Sequence, residues 1–464
     1  MIDRDNFDQV LARHKPMLRL ARVEKHAQEL EISFDSLDAF HPDAVFDRVQ
    51  LFQSLRQTRM GLQNSATFRA AAAEVRSWAS TATTPTTNRP EHVSQKPEHS
   101  SGAAQPEGLF DQVLNASQVQ ADDRPSEMDW NDYIRSIVEP YAIPGTDPQQ
   151  PELIACVDSV AACLMRAVLH HRDFQALEAA WRAAYFLIRR LDTDSSLSIH
   201  LVDTSKQELA ADLQADDLRS SGIYKLMVDQ TVGTPGGQRW SVIVGNYSFG
   251  RNRDDVELLS RMSAVARQAG VPFVAAAHSS VVGCDSFAAM PDPDAWSLPA
   301  DSEGDTAWEE FRRLPQASYA GLALPRFLLR LPYGKASNPV ERFDFDELPE
   351  VTSSTHDQYL WGNSAFACCC LLAQSFTEQG WSMRPGSLLE LEGMPVHVYR
   401  SDGESEARPS SEALLTERAA ERIVKHGLMP LLSYRSRDIV RFGCIRSLAN
   451  APAGLRGPWS AEMM

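Results

Sequence analysis

The sequence predicts an α/β protein: a layered domain with a partly parallel sheet and flanking helices, preceded by a small helix–strand–helix segment and a disordered linker. Three observations carry this. An apolar run "WSVIVG" (240–245), an amphipathic stretch "DDVELLSRMSAVARQAG" (254–270) and a second apolar run "VPFVAAA" (271–277) follow one another. Strand, helix and strand in that order imply a parallel pair with a right-handed crossover. A third run, "YAGLAL" (319–324), ends at Pro325 and adds a further strand. Finally, Ser80 to Gly108 is rich in Ser, Thr, Pro and His and nearly empty of large apolar residues. Such a stretch cannot offset its ordering entropy by burial, which predicts a flexible linker.

These shifts divide the chain into a segment 1–79, a linker 80–108, an α/β body 109–450 and a Gly/Pro-rich tail 451–464. In the first segment, "DRDNFDQVLARH" has an amphipathic helical pattern, and "LEISF" (Leu30 to Phe34) alternates as a half-buried strand does. "HPDAVFDRVQLFQSLRQTRMGLQ" then reads as one helix, with Pro42 near its start and Val45, Val49, Phe52 and Leu55 on one face. After the linker, residues 109–190 are predicted mostly helical. Phe174, Leu177, Trp181, Ala184 and Ile188 form an apolar stripe there, so Trp181 is expected in the core.

"LSIHLVD" (197–203) alternates as a strand, and "SKQE" (Ser205 to Glu208) has the form of a capping box. "WSVIVG" is a continuous apolar run, which predicts a strand buried on both faces. The helix after it has Asp254 and Asp255 in its first turn and Gly270 at its end, matching dipole and C-cap preferences. "DGESEARPSS" (Asp402 to Ser411) is polar and predicts a surface loop.

The chain has 464 residues and a net charge of −17, so nucleic acid is a poor fit as a partner, because phosphate binding needs a basic surface. The cysteines number 7 and form no C-x-x-C pair; Cys368, Cys369 and Cys370 are adjacent and read as small core residues in a reducing compartment. "MIDRDNFDQVLARHKP" has no apolar signal region, and no apolar run reaches ~18 residues, so no membrane insertion is expected and the predicted location is cytoplasmic.

The carboxyl ends of strands in an α/β sheet are where ligands usually bind. Here Gly245 and Gly250 flank "NYSF", which matches neither a dinucleotide fingerprint nor a P-loop. Asp254 and Asp255 would repel a phosphate at the helix start. His170 and His171 are adjacent on a helix and point apart, which suits surface or capping roles. His278, before Ser279 and Ser280, lies at a strand end. Arg182, Arg326 and Arg330 lie within apolar patterns, where arginines pair with carboxylates or hold an anion. The residues assign no catalytic, cofactor-binding or metal-ligating role, and the chain is expected not to be an enzyme and to need no cofactor.

Several strings carry a resemblance. "FQALEAAWRAAYFLI", "GNYSF", "YAGLALPRFLLRLPYG", "NPVERFDF", "YLWGNSAFA", "SFTEQGW" and "GLMPLLSYRSRD" occur in that order over roughly 174–448. They resemble the large subunit of the type VI secretion contractile sheath, and "GLFDQVLNAS" (Gly108 to Ser117) is similar to its opening. "DRDNFDQVLARHKP" and "LEISFDSLDAFHPDAVFDRV" with "LFQSLRQTR" resemble the small sheath subunit. The resemblance implies a structural protein in which two obligate partners are fused through the linker. It implies partners among sheath subunits and other type VI secretion components, including the inner tube and a recycling ATPase of the unfoldase type. In that family the "GNYSF" junction is packing scaffold, and terminal strands link neighbouring protomers. The chain begins inside the small-subunit pattern and stops near 447–458, before the large-subunit pattern would end. Asn246 also stands where Asp is usual, and "RPGSLLELEGMP" lacks the usual Gly-Gly. The resulting expectation is a sheath-subunit-like protein unable to form long tubes alone. Two readings stand beside it: a non-polymerising adaptor or regulator of the apparatus, and an enzyme using the strand ends near Gly245 and His278.

Overall fold

The computed structural model describes residues 1–20, 30–80, 150–298, 303–401, 403–450 and 453–460. The linker beyond Ser80 and the stretch "GLFDQVLNAS" lie outside the described residues. The chain forms two compact units. One comprises Asp8–Glu178 with Pro332–Glu350; the other comprises Met1–Phe7, Ala179–Leu331 and Val351–Met464.

The first unit joins both halves of the sequence. Helix α1 (Phe7–His14) leads into an antiparallel pair, β1 (Met17–Leu20) and β2 (Leu30–Ser33). Leu18 and Ile32 face each other in register and are both buried. The helix expected over 42–63 is broken. Helix α2 (Pro42–Arg48) ends at Val49, whose backbone is extended (φ −81°, ψ 128°), and a 3₁₀ turn at Gln50–Phe52 precedes α3 (Gln53–Gln63). The break frees carbonyls that a continuous helix would use. The Arg56 guanidinium reaches back to take those of Phe46 and Val49. Val45, Val49, Phe52 and Leu55 are nevertheless all buried, so the spacing located the core face while missing the break.

Helix α4 (Phe68–Ser80) packs on α3, and both pack against α5 (Gln150–Leu169). Phe34 and Phe40 stack at 4.0 Å, and Phe174, at the start of α6 (Arg172–Arg190), sets its edge on both, at 5.7 and 5.8 Å. Phe46 meets Phe343 at 4.7 Å. Polar contacts fix the register of this apolar interface. Arg59 on α3 grips Asp158 on α5 with two hydrogen bonds, Nε to Oδ1 at 2.6 Å and Nη2 to Oδ2 at 3.2 Å. Asp158 Oδ2 also accepts the Asp344 N–H at 3.2 Å. Asp43, in the first turn of α2, accepts the backbone N–H groups of Glu341 and Arg342, and the Arg342 side chain pairs with Asp47 at 2.8 Å.

The second unit is built on a six-stranded sheet of order β3-β4-β5-β11-β12-β8. Its strands are β3 (Ile243–Phe249), β4 (Phe273–Ala277), β5 (Ala320–Leu324), β8 (Glu390–Leu391), β11 (Met429–Ser433) and β12 (Val440–Phe442); β6 (Phe327–Leu328) and β7 (Trp361–Gly362) form a separate small pair. β3, β4, β5 and β11 run parallel, as the strand–helix–strand order predicts, and β12 and β8 add antiparallel pairs. Strand alternation then builds two cores. Phe273, Ala275 and Ala277 face a cluster with α8 (Arg253–Ala269), α9 (Glu303–Arg313) and α11 (Glu417–Lys425). Val274 and Ala323 face a cluster with α10 (Ser364–Gln379) and the second half of α6.

Several local readings hold and others do not. Ser205 and Glu208 form the reciprocal capping box that opens α7 (Lys206–Leu213), and Gly270 closes α8 in the left-handed region, at φ 74°. "LSIHLVD" makes only an isolated antiparallel bridge, Ile199 to Ile2, because its neighbour is a few residues of the N-terminus rather than a strand. β3 is an edge strand, half-exposed rather than buried on both faces. "DGESEARPSS" is not a loop: Glu404–Arg408 is β10, paired antiparallel with β9 (His397–Ser401). Residues 453–460 fold back, with Leu455 buried beside Met429 and α10. Of the predicted stripe on α6, Phe174, Ala184 and Ile188 are buried, as are Ala183 and Leu187, whereas Trp181 is half-buried, its ring meeting Phe7 edge-on at 6.0 Å.

Two outcomes follow. Asp158→Asn leaves Arg59 part-buried without its charge partner and is expected to cost roughly 2–4 kcal/mol in urea unfolding, near the value for breaking a buried ion pair. Arg59→Met with Asp158→Leu should recover most of that loss; a single-variant loss below about 0.5 kcal/mol contradicts the assignment. Trp181→Ala is expected to cost about 1–2 kcal/mol, less than full core truncation, because the ring is only half-buried.

Candidate functional site

Sequence pointed to the carboxyl end of β3. Gly245 and Asn246 turn out to lie inside β3, which continues to Phe249. A Cβ at Gly245 would come within 2.6 Å of the Phe273 ring, so glycine is needed there for packing rather than for cradling a ligand. The strand-to-helix turn is Gly250–Asn252, at an open cleft of about 610 Å³ lined by Arg251, Asp255, His278, Asp285 and Asp305, among others.

The groups a phosphate would use in that cleft are already engaged. Asn252 Oδ1 caps α8 by accepting the Asp255 N–H at 2.9 Å. The Asp255 carboxylate accepts the Gly250 N–H at 2.6 Å and the Lys206 ammonium at 2.6 Å. Lys206 also donates to the Ser248 carbonyl at 2.7 Å. Arg251 pairs with Asp305 at 2.7 Å and lies over the Trp308 ring. Asp255 thus sits where an anion would sit at a helix N-terminus. His278 is exposed; its Nδ1 accepts the Ser280 N–H at 3.2 Å and contacts the Ser280 hydroxyl at 2.8 Å, which makes it the cap of a short 3₁₀ turn.

The other candidates also resolve into packing roles. His171 Nδ1 accepts the Asp173 N–H and caps α6. His170, expected at the surface, is buried, with Nε2 3.6 Å from Glu347. It directly follows α5, its backbone N–H bonded to the Arg166 carbonyl at 2.9 Å. Cys368 and Cys370 are buried in α10; burial pushes the Cys368 thiol far up and Cys369 and Cys370 to about 12. They are thiols, not thiolates, at neutral pH, and so are poor nucleophiles and ligands. Among the described residues no group of three or more His, Cys, Asp or Glu is placed to hold a metal ion, and no single helix is long and apolar enough to cross a membrane.

The arginine reading was sound for Arg326. It forms a fork on Glu412, Nε to Oε2 at 3.1 Å and Nη2 to Oε1 at 2.7 Å, and its backbone N–H adds a third bond at 3.1 Å. Burial by itself pushes the Glu412 carboxyl up. The hydrogen bonds from His356 and Arg326 and the Arg326 charge outweigh this and hold it well below the usual carboxylate range. A depressed folded-state pKa means the pair's stabilisation is complete above the ordinary carboxylate value and is lost as pH falls below it. Glu412→Gln is therefore expected to lower stability at neutral pH by roughly 2 kcal/mol, between the surface and buried limits because Arg326 is partly exposed. The gap to the wild type should narrow on acidification below about pH 4. A gap that stays constant with pH contradicts the pairing.

Comparison with known proteins accounts for these packing roles. A family model described as EvpB/VC_A0108, tail sheath N-terminal domain, matches residues 151–449. A second, described as Type VI secretion system, VipA, VC_A0107 or Hcp2, matches residues 1–77. The chain is similar to the type VI secretion system sheath protein TssC1 of Pseudomonas aeruginosa, at 32% identity over 303 residues, which cover 64% of this chain and 60% of that protein. The chain thus spans about three fifths of the length of the relative it matches. It belongs to the type VI secretion tail sheath family, a structural rather than enzymatic family, and unites a VipA-type and a VipB-type domain in one polypeptide.

Proposed function

We propose that this chain works as a pre-joined sheath heterodimer, a structural component of the type VI secretion contractile sheath in which residues 1–79 and 109–450 act as the small and large partners. The observation that supports it is the first compact unit. There the VipA-type helix α3 is bound to the VipB-type helix α5 through Arg59 and Asp158, and α2 to residues 341–343 through Asp43 and Phe46. Covalent connection raises the effective concentration of such a contact to roughly millimolar. On this reading the partners are sheath subunits, then the inner tube and an unfoldase-type recycling ATPase, and the place of action is the cytoplasm.

A finer reading is that the chain does not form long tubes alone and acts as an adaptor or terminator. The edges of the six-stranded sheet favour it. Strand addition needs an open edge. On β3 the Ser248 carbonyl, which alternates with the β4-bonded Phe249 carbonyl, is taken by Lys206. At the other edge β8 is two residues long. A net charge of −17 adds self-repulsion at low salt.

Negative-stain microscopy at physiological salt tests both readings. The pure protein is expected as dispersed particles, and as particles bound to sheaths when full-length sheath subunits are added. Regular hollow tubes from the pure protein would overturn the adaptor reading. Failure to associate with sheath subunits in any form would overturn the component reading.

A further inference from the structure

The segment 353–361 and the β9/β10 hairpin meet at a side-chain cluster beside the Arg326–Glu412 pair. His356 is buried at its centre, its side chain 8% exposed. Arg408 of β10 places Nη2 2.6 Å from His356 Nδ1. A guanidinium only donates, so Nδ1 must be the acceptor and carries no proton. The ring is therefore the neutral Nε2–H tautomer, and Nε2 faces Glu412 Oε1 at 3.4 Å. Trp361 lies 5.2 Å from the ring and donates its indole N–H to the His356 carbonyl at 2.8 Å, which holds the residue in place. The Arg408 guanidinium lies over the Tyr359 ring at 5.0 Å. Among the described residues Arg408 Nε finds no hydrogen-bond partner. The bond to His356 is thus the polar contact that orients this end of β10.

A second imidazole contact joins the same elements. The Tyr359 hydroxyl and His397 Nδ1 of β9 are 2.8 Å apart. A hydroxyl can donate or accept, so this contact survives protonation of His397 by turning the O–H round. The His356–Arg408 contact has no such alternative. A proton on Nδ1 sets two donors and two positive charges against each other at hydrogen-bond distance.

We propose that His356 is a proton-operated latch: protonation of Nδ1 ejects Arg408 and frees the β9/β10 hairpin from residues 353–361. Facing the ring are Arg408, Glu412 and, through Glu412, Arg326, with Asp357 at the exposed rim 3.9 Å from Arg326. Cys284, which feels the Glu412 charge, stays a thiol, burial and that charge both pushing it up, to about 11. The neutral ring sits among two guanidiniums and one carboxylate, and that carboxylate already receives three hydrogen bonds from Arg326. A third positive charge is not balanced there. Histidine is the side chain whose charge ordinarily changes between about pH 5 and 8, which sets the two pH values of the test.

Hydrogen–deuterium exchange of the full chain tests the latch, at about pH 7.5 and about pH 5.5 with times corrected for the intrinsic rate. Protection of 397–408 is expected to fall about tenfold or more at the lower pH, while β4 and β5 keep theirs. His356→Asn puts an amide oxygen near the place of Nδ1, an acceptor that cannot be protonated, and should make hairpin protection independent of pH. Arg408→Met keeps the apolar stem, removes the donor and should leave the hairpin unprotected at both values. Equal wild-type protection at both values, or an unchanged pH response in His356→Asn, overturns the proposal. If Arg408→Met also exposes β4, that variant has misfolded and the His356→Asn comparison decides.

Discussion

The carboxylate of Asp158 is shared by three stretches of chain that are far apart in sequence: Arg59 from the VipA-type domain, its own helix α5, and the Asp344 N–H from the 332–350 segment. A side chain with only 7% exposure that holds a bidentate guanidinium and a backbone donor fixes position, because a shift of one ångström breaks charge-assisted bonds. The aromatic contacts around it, Phe34, Phe40 and Phe174 on one side and Phe46 with Phe343 on the other, supply the apolar driving force. Burial brings these elements together, and Asp158 decides the register in which they meet. The pairing of the two sheath-type domains within one chain depends on that geometry.

The α/β sheet is occupied by packing and capping contacts at its strand ends. Its strand ends are where an enzyme of this class would hold its ligand. Here Asp255 fills the helix N-terminus, Lys206 neutralises it, and Gly245 serves the Phe273 ring. Buried ion pairs and capped turns in such positions rigidify the junction. The same arrangement appears at Glu412, where three bonds from Arg326 hold the chain that follows β10 to the chain that follows β5.

What the sequence made legible was what local pattern determines. Apolar runs located β3, β4 and β5, the Ser205–Glu208 box located α7, and the left-handed glycine closed α8. The misses are tertiary. The 42–63 helix breaks at the extended Val49, where Arg56 and the Phe52 N–H take up the Val49 carbonyl, contacts that periodicity does not encode. "LSIHLVD" has strand alternation but only the chain's first residues beside it. "DGESEARPSS" lacks apolar alternation because β10 pairs only with β9 in a two-stranded ribbon, so the strand pattern of a buried sheet is absent. His170 was read as surface because its buried neighbour Glu347 lies far along the chain. The role of Asp158 was not legible, since nothing local marks it.

The most direct test is to place a specific protease site at Ser94, cut the folded protein, and measure sedimentation of the product in mild buffer. The account predicts one species with the mass of the whole chain, the two pieces separating only in denaturant. Two independently sedimenting fragments would contradict it, because the VipA-type and VipB-type parts would then be tethered neighbours rather than one folded pair.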